Sequence, residues 1–95
     1  MKKITENITT AFQNRQAKKQ GNTKTDGKTL WLYNNEIANY NEKNELEICD
    51  GGFQSVTTKE RLNGLKGVKV HQKNFQWFLN GKIWNGDWVV VKDFK

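Results

Sequence analysis

The chain has 95 residues, is 35 % hydrophobic and carries a net charge of +6 with a mean hydropathy of −0.91. A chain of this length buries roughly 60–65 % of its unfolded surface, enough for one modest core and no second. No apolar run approaches the roughly 20 residues of a membrane helix. Met1–Asn7 lacks the apolar core of a signal peptide, so a cytoplasmic location is expected.

Ile4, Ile8, Ala11 and Phe12 fall on one stripe of an α-helix, and the pattern predicts a basic amphipathic helix over residues 1–20 with Gly21 as its stop. At about 100° per residue, Arg15, Lys18 and Lys19 continue that stripe. The face that begins on the core therefore ends as three positive charges, which either lay their stems over apolar surface or meet a partner. Residues 1–28 hold net +5 and residues 29–95 only +1, a concentration that draws phosphates or an acidic protein surface. Lys24 and Lys28 belong to the same basic segment.

From residue 22 the pattern changes to period two. Asn22–Thr25, the turn Asp26–Gly27, Leu30–Tyr33, a turn at Asn34–Asn35, Ile37–Tyr40 and Leu46–Cys49 read as a first β-meander over residues 22–56. Thr57-Thr58-Lys59-Glu60 has the form of a capping box with Thr57 as N-cap, opening a short helix over residues 57–66 that closes at Gly67. Val68–Gln72, Phe75–Leu79, Lys82–Trp84 and Asp87–Phe94, with turns at Asn80–Gly81 and Asn85–Gly86, form a second meander over residues 68–94. The expectation is a single domain over residues 1–95 of α+β class. Its N-terminal amphipathic helix packs on an antiparallel β-meander sheet or half-barrel, with one short helix between two groups of strands.

The Asn80–Gly81 turn pairs Phe78 with Ile83 and Trp77 with Trp84, the two pairs on opposite faces, and Trp88 follows the next turn. Aromatic rings interleaved with lysines on a sheet suit single-stranded nucleic acid, where bases stack on rings and cations track phosphates. Core packing competes for the same residues, because this chain has few other large side chains to bury. One helix covers one face only, so some of Trp77, Trp84 and Trp88 are expected to be open to a partner. Gly64-Leu65-Lys66-Gly67 matches a Gly-x-x-Gly phosphate clamp by spacing, but a strand follows it where that clamp needs a helix. It reads as helix termination.

Catalysis lacks parts. Cys49 and His71 are the only Cys and His, far apart in sequence, which gives no disulfide and no metal-ligand spacing. No Walker motif, nucleophile elbow or carboxylate cluster occurs. A non-enzymatic binding protein without cofactor or metal is expected.

The stretches Gly21-Asn22-Thr23, Leu30, Leu32 and Ile37-Ala38, then Val56-Thr57-Thr58-Lys59-Glu60-Arg61-Leu62-Asn63-Gly64-Leu65 and Gln72-Lys73-Asn74-Phe75-Gln76-Trp77-Phe78-Leu79-Asn80-Gly81, resemble a group of short phage-encoded proteins of the anti-defence, anti-CRISPR-like type. The resemblance covers residues 21–88. It implies a meander, a helix and a hairpin, and a role as inhibitor of a host defence nucleoprotein complex such as a CRISPR effector, with a host protein or nucleoprotein complex as partner. It transfers no functional residues. The alternative is a basic accessory protein that binds single-stranded DNA or RNA directly. The residues nominated for partner contact are Arg15, Lys18, Lys19, Lys24, Lys28, Trp77, Trp84 and Trp88.

Overall fold

The computed structural model describes residues 1–94. The order is α1 (Lys3–Gln13), β1 (Lys18–Gln20), β2 (Thr23–Thr25), β3 (Thr29–Leu32), β4 (Asn35–Tyr40), β5 (Leu46–Ile48), α2 (Val56–Leu62), β6 (Val70–Lys73), β7 (Gln76–Leu79), β8 (Lys82–Ile83), β9 (Val89–Val90) and a 3-10 turn (Val91–Asp93). The class is α+β as expected, and no barrel closes. β1 to β5 form an antiparallel meander, and β9 adds to its far edge beside β5, giving six strands in the order β1-β2-β3-β4-β5-β9. β6, β7 and β8 form a separate three-stranded sheet.

The second meander is therefore divided, with its last strand in the first sheet. The backbone N–H of Asp50 donates to Gly86 O at 2.9 Å and so ties the approach to β9 against the end of β5.

The apolar stripe of α1 is as the spacing predicts, with Ile8 and Phe12 fully buried. The helix nevertheless ends at Gln13, seven residues short of the expected boundary. Arg15 takes a left-handed conformation at φ 59°, and the chain turns into β1. α2 also begins earlier than the capping-box reading placed it. Ser55 is the N-cap, its Oγ accepting the Thr58 N–H at 3.1 Å. Glu60 does not reach back to the cap but accepts from Arg61 and Thr5.

Leu30, Leu32, Ala38 and Ile48 of the large sheet face one continuous core with Ile8 and Phe12 of α1, Leu62 of α2, and Val70, Trp77 and Leu79 of the small sheet. Buried Arg61 joins three elements. Its Nε donates to Thr23 Oγ1 at 2.9 Å on β2, and its Nη1 donates to Thr5 Oγ1 at 2.8 Å on α1 and to Glu60 Oε1 at 2.9 Å. Gly64 lets α1 cross close to the end of α2, because a Cβ there would lie 2.6 Å from Thr5 Cγ2 and 2.8 Å from Thr9 Cγ2. This close approach, with Gly67 at φ 82°, accounts for the Gly-x-x-Gly spacing.

Candidate functional site

Because one face of the six-stranded sheet takes all the core contacts, the other is open. Leu30 and Leu32 point inward, so alternation sends Trp31 outward. Cross-strand pairing then builds a row across four strands, from Lys19 to Lys24, to Trp31, to Glu36. The Lys24 ammonium lies 5.4 Å from the Trp31 ring centroid, within cation–π range. A second row on the same face runs Thr29, Asn39, Glu47, Val90. A bulge between Leu30 and Trp31 separates the rows and frees Ile37 to turn into the core.

The face is polarised. Lysines occupy β1 and β2, whereas β4 and β5 contribute Glu36 and Glu47. Beyond them a recess of about 290 Å³ is lined by Glu36, Cys49, Asp50, Asp87 and the half-exposed Trp88. On the basic side, a recess of about 200 Å³ is lined by Lys19, Asn22, Lys24 and Tyr33.

The structure rearranges the nominated residues. Arg15, Lys18 and Lys19 do not form one helical stripe, because the helix has ended before them. The Arg15 guanidinium carbon lies 3.2 Å from the Tyr40 ring centroid, and Tyr40 stacks on Phe12 at 4.6 Å. Arg15 also donates to Asn44 Oδ1, so its guanidinium is held across Tyr40 while the residue stays exposed. Lys18 pairs with Thr25 and Lys19 with Lys24, which puts them on opposite sides of β1. Lys28 is exposed in the β2–β3 turn, where Asp26 Oδ1 accepts the N–H groups of Lys28 and Thr29, each at 2.8 Å. Those two donors, that of Thr29 first, hold the Asp26 carboxyl below its ordinary range.

Trp77 and Trp84 are 1 % and 3 % exposed and meet each other at 6.0 Å between ring centroids. The hairpin register is as read, but its tryptophan face is the core face, so neither ring is open to a partner. Of the nominated tryptophans only Trp88 is exposed. Sequence reasoning missed Trp31, although the alternation Leu30-Trp31-Leu32 beside a basic strand was the available signal.

Cys49 is buried, its Sγ 3.2 Å from Glu36 O, and burial pushes its pKa up to about 11. That is opposite to what a nucleophilic thiol needs. Among the described residues no group of three His, Cys, Asp or Glu side chains could hold a metal ion. No helix among them is long and apolar enough to cross a membrane.

The sequence model of the family described as Kyanoviridae Gp96 protein matches residues 1–95. The chain belongs to that family. It is accordingly a phage protein, as the resemblance implied, and the match says nothing of an anti-defence role. No curated protein and no solved structure matches the chain.

Proposed function

We propose that this phage protein is a non-enzymatic inhibitor that docks on a host defence nucleoprotein complex, such as a CRISPR effector, in the host cytoplasm. The single observation behind this reading is the polarised open face, Lys19–Lys24–Trp31–Glu36, on a sheet whose other side packs on the core. A rigid sheet carries a central aromatic with opposite charges on its two sides, an arrangement that sets register on a protein surface of complementary pattern. Trp31 is the natural anchor, since Trp is among the residues that dominate interface energetics. A nucleic-acid strand crossing the whole face would run from lysines onto Glu36 and Glu47, and the Lys24 ammonium already sits beside the Trp31 ring. Both features favour a protein surface as the main contact.

The test is binding to a reconstituted effector complex with the wild type, Trp31→Ala and Lys19→Glu/Lys24→Glu. Trp31→Ala is expected to weaken binding by about 30-fold or more, the scale of an anchor residue. The charge reversal should mainly slow association and flatten its salt dependence. Binding unchanged in both variants would overturn the assignment of the face.

The Lys19–Lys24 recess specifically favours a second reading, direct binding of single-stranded DNA or RNA at the basic end. It predicts affinity for oligo-dT that falls steeply with salt, with a slope set by the phosphates neutralised. Retention of micromolar oligo-dT binding at physiological salt, lost in Lys19→Glu/Lys24→Glu, would favour this reading over the first.

A further inference from the structure

Three hairpin tips in this chain use two successive residues at positive φ: Tyr33–Asn34, Asn74–Phe75 and Asn80–Gly81. Asn–Gly is the sequence such a turn favours, because Gly accepts positive φ freely and Asn tolerates it. The other two tips each spend a position on a large aromatic in a conformation that bulky side chains avoid. Both aromatics are also left in water, Tyr33 at 65 % and Phe75 at 94 % exposure. Neither stability nor solubility is served by that choice, so a contact outside the protomer is the economical explanation.

Topology brings these tips to one end of the molecule. Asn63, at the end of α2, exchanges hydrogen bonds with Val70, at the start of β6. Further along, Lys59 Nζ donates to Gln72 Oε1 at 3.0 Å. β6 therefore runs back along α2, and its tip, Phe75, lies at the end where α2 begins. There a cavity of about 340 Å³ opens, lined by Leu32, Ile37 and Ser55 and flanked by the exposed rings of Tyr33 and Phe53. A dry apolar cavity of about 150 Å³ is enough to take up benzene, so this one has room for a phenyl ring. Val56, 77 % exposed, extends the apolar surface.

We infer that this end is a self-docking surface, on which two copies of the chain pair about a two-fold axis with Phe75 of each entering the Tyr33–Phe53 cavity of the other. A protruding key and an open lock at the same end of one protomer are what an isologous interface requires, since each contact must occur twice. The flanking charges agree. Lys73 precedes the key by two residues, and Asp50 lines the lock, so two-fold pairing brings each lysine toward the other copy's carboxylate. The Lys19–Lys24–Trp31–Glu36 row takes no part in this contact, although the recesses that flank it share Tyr33 and Asp50 with the lock.

The test is the molar mass of the full chain by analytical ultracentrifugation over a micromolar to millimolar range, for the wild type, Phe75→Gly and Phe75→Leu. The wild type should dimerise with a Kd on the order of 10 μM. Phe75→Gly should weaken dimerisation at least tenfold, while the thermal midpoint measured on dilute monomer rises or holds, because Gly relieves the positive φ. That combination separates loss of the key from loss of the fold. Phe75→Leu should keep most of the association. A wild type that remains monomeric at about 1 mM, or a dimer that survives Phe75→Gly, overturns the inference. The first of these outcomes would leave the end free for a different partner.

Discussion

Replacing Arg61 should remove the link between α1, α2 and the large sheet. Arg61 is 3 % exposed, and its guanidinium donates to Thr23, Thr5, Glu60 and, at 3.3 Å, to Asn22. Removing one partner of a buried ion pair costs about 3–5 kcal/mol. Two features place this case toward the lower half of that range. The Glu60 side chain keeps 23 % exposure and can rehydrate. Thr5 still donates to Glu60, and Thr23 to Asn22 Oδ1 at 2.7 Å, so the hydroxyls are not orphaned. A loss of about 3–4 kcal/mol for Arg61→Ala follows, against a total of about 5–14 kcal/mol for a domain of this length. With a urea slope of about 1–1.5 kcal/mol per molar, the unfolding midpoint should fall by about 2–4 M. Arg61→Lys keeps the charge, but one ammonium cannot reach Thr23, Thr5 and Asn22 together, so it should recover less than half. The assay is urea denaturation followed by tryptophan fluorescence, with equal slopes confirming that the transitions are comparable. A loss below about 1 kcal/mol for Arg61→Ala would show that apolar packing alone holds α1 in place and would refute the argument.

Gly64→Ala puts a methyl group less than 3 Å from Thr5 and Thr9; overpacking of this kind costs about 1–3 kcal/mol, or roughly 5–15 °C in thermal midpoint. Thr9→Ser in the same chain removes the Cγ2 contact but keeps the hydroxyl that donates to Thr5 O at 2.7 Å, so calorimetry should show partial rescue. Cys49 should resist iodoacetamide at neutral pH in the folded protein and react promptly in urea, because the buried thiol stays protonated. Its folded pKa is raised above 9.0 to about 11, so its contribution to stability is intact below pH 9.0 and lost as pH rises toward 11. Asp26 has the opposite sign. Its depressed folded pKa contributes stability above its ordinary value of 3.8, lost as pH falls through the folded value. Carboxyl NMR should find it titrating below 3.8, and a value at or above that would show that the Thr29 and Lys28 N–H bonds do not form in solution.

Much of the architecture was legible because its determinants are local. The stripe Ile4–Ile8–Ala11–Phe12 found α1, and Asn80–Gly81 fixed the register that pairs Phe78 with Ile83. The end of α1 was not legible for a physical reason. The terminating residue is Arg15, whose positive φ is stabilised by Tyr40 and Asn44, 25 and 29 positions away. No local stop signal marks it, and Gly21 offered a false one. The same distance hides Arg61, which on sequence is one basic residue in a short helix and in the fold is buried against β2 and α1. For the tryptophans, alternation told which residues share a face but not which face meets the core. Nominating Trp77 and Trp84 for partner contact and passing over Trp31 came from that ambiguity. β9 illustrates a third limit, since a two-residue strand joining the other sheet carries no periodic signal of its own.

The two proposed surfaces can be separated by experiment because their anchors, Trp31 and Phe75, belong to different elements, although Tyr33 and Asp50 border both. The Lys19–Trp31 row is on the outer face of the large sheet, whereas Phe75 and the Tyr33–Phe53 cavity are at the end where α2 begins. A two-fold dimer formed at that end carries two copies of the open face on one particle. If the host target presents repeated sites, as a multisubunit complex does, the second contact becomes intramolecular and apparent affinity rises by about 10²–10⁴ without any new contact type. Phe75→Gly should then lower apparent affinity for a repeated target and leave affinity for a single immobilised site unchanged, while Trp31→Ala should weaken both. Equal losses for Phe75→Gly on repeated and single sites would place Phe75 in the host interface itself. That result would assign its exposure and strain to target binding and not to self-docking.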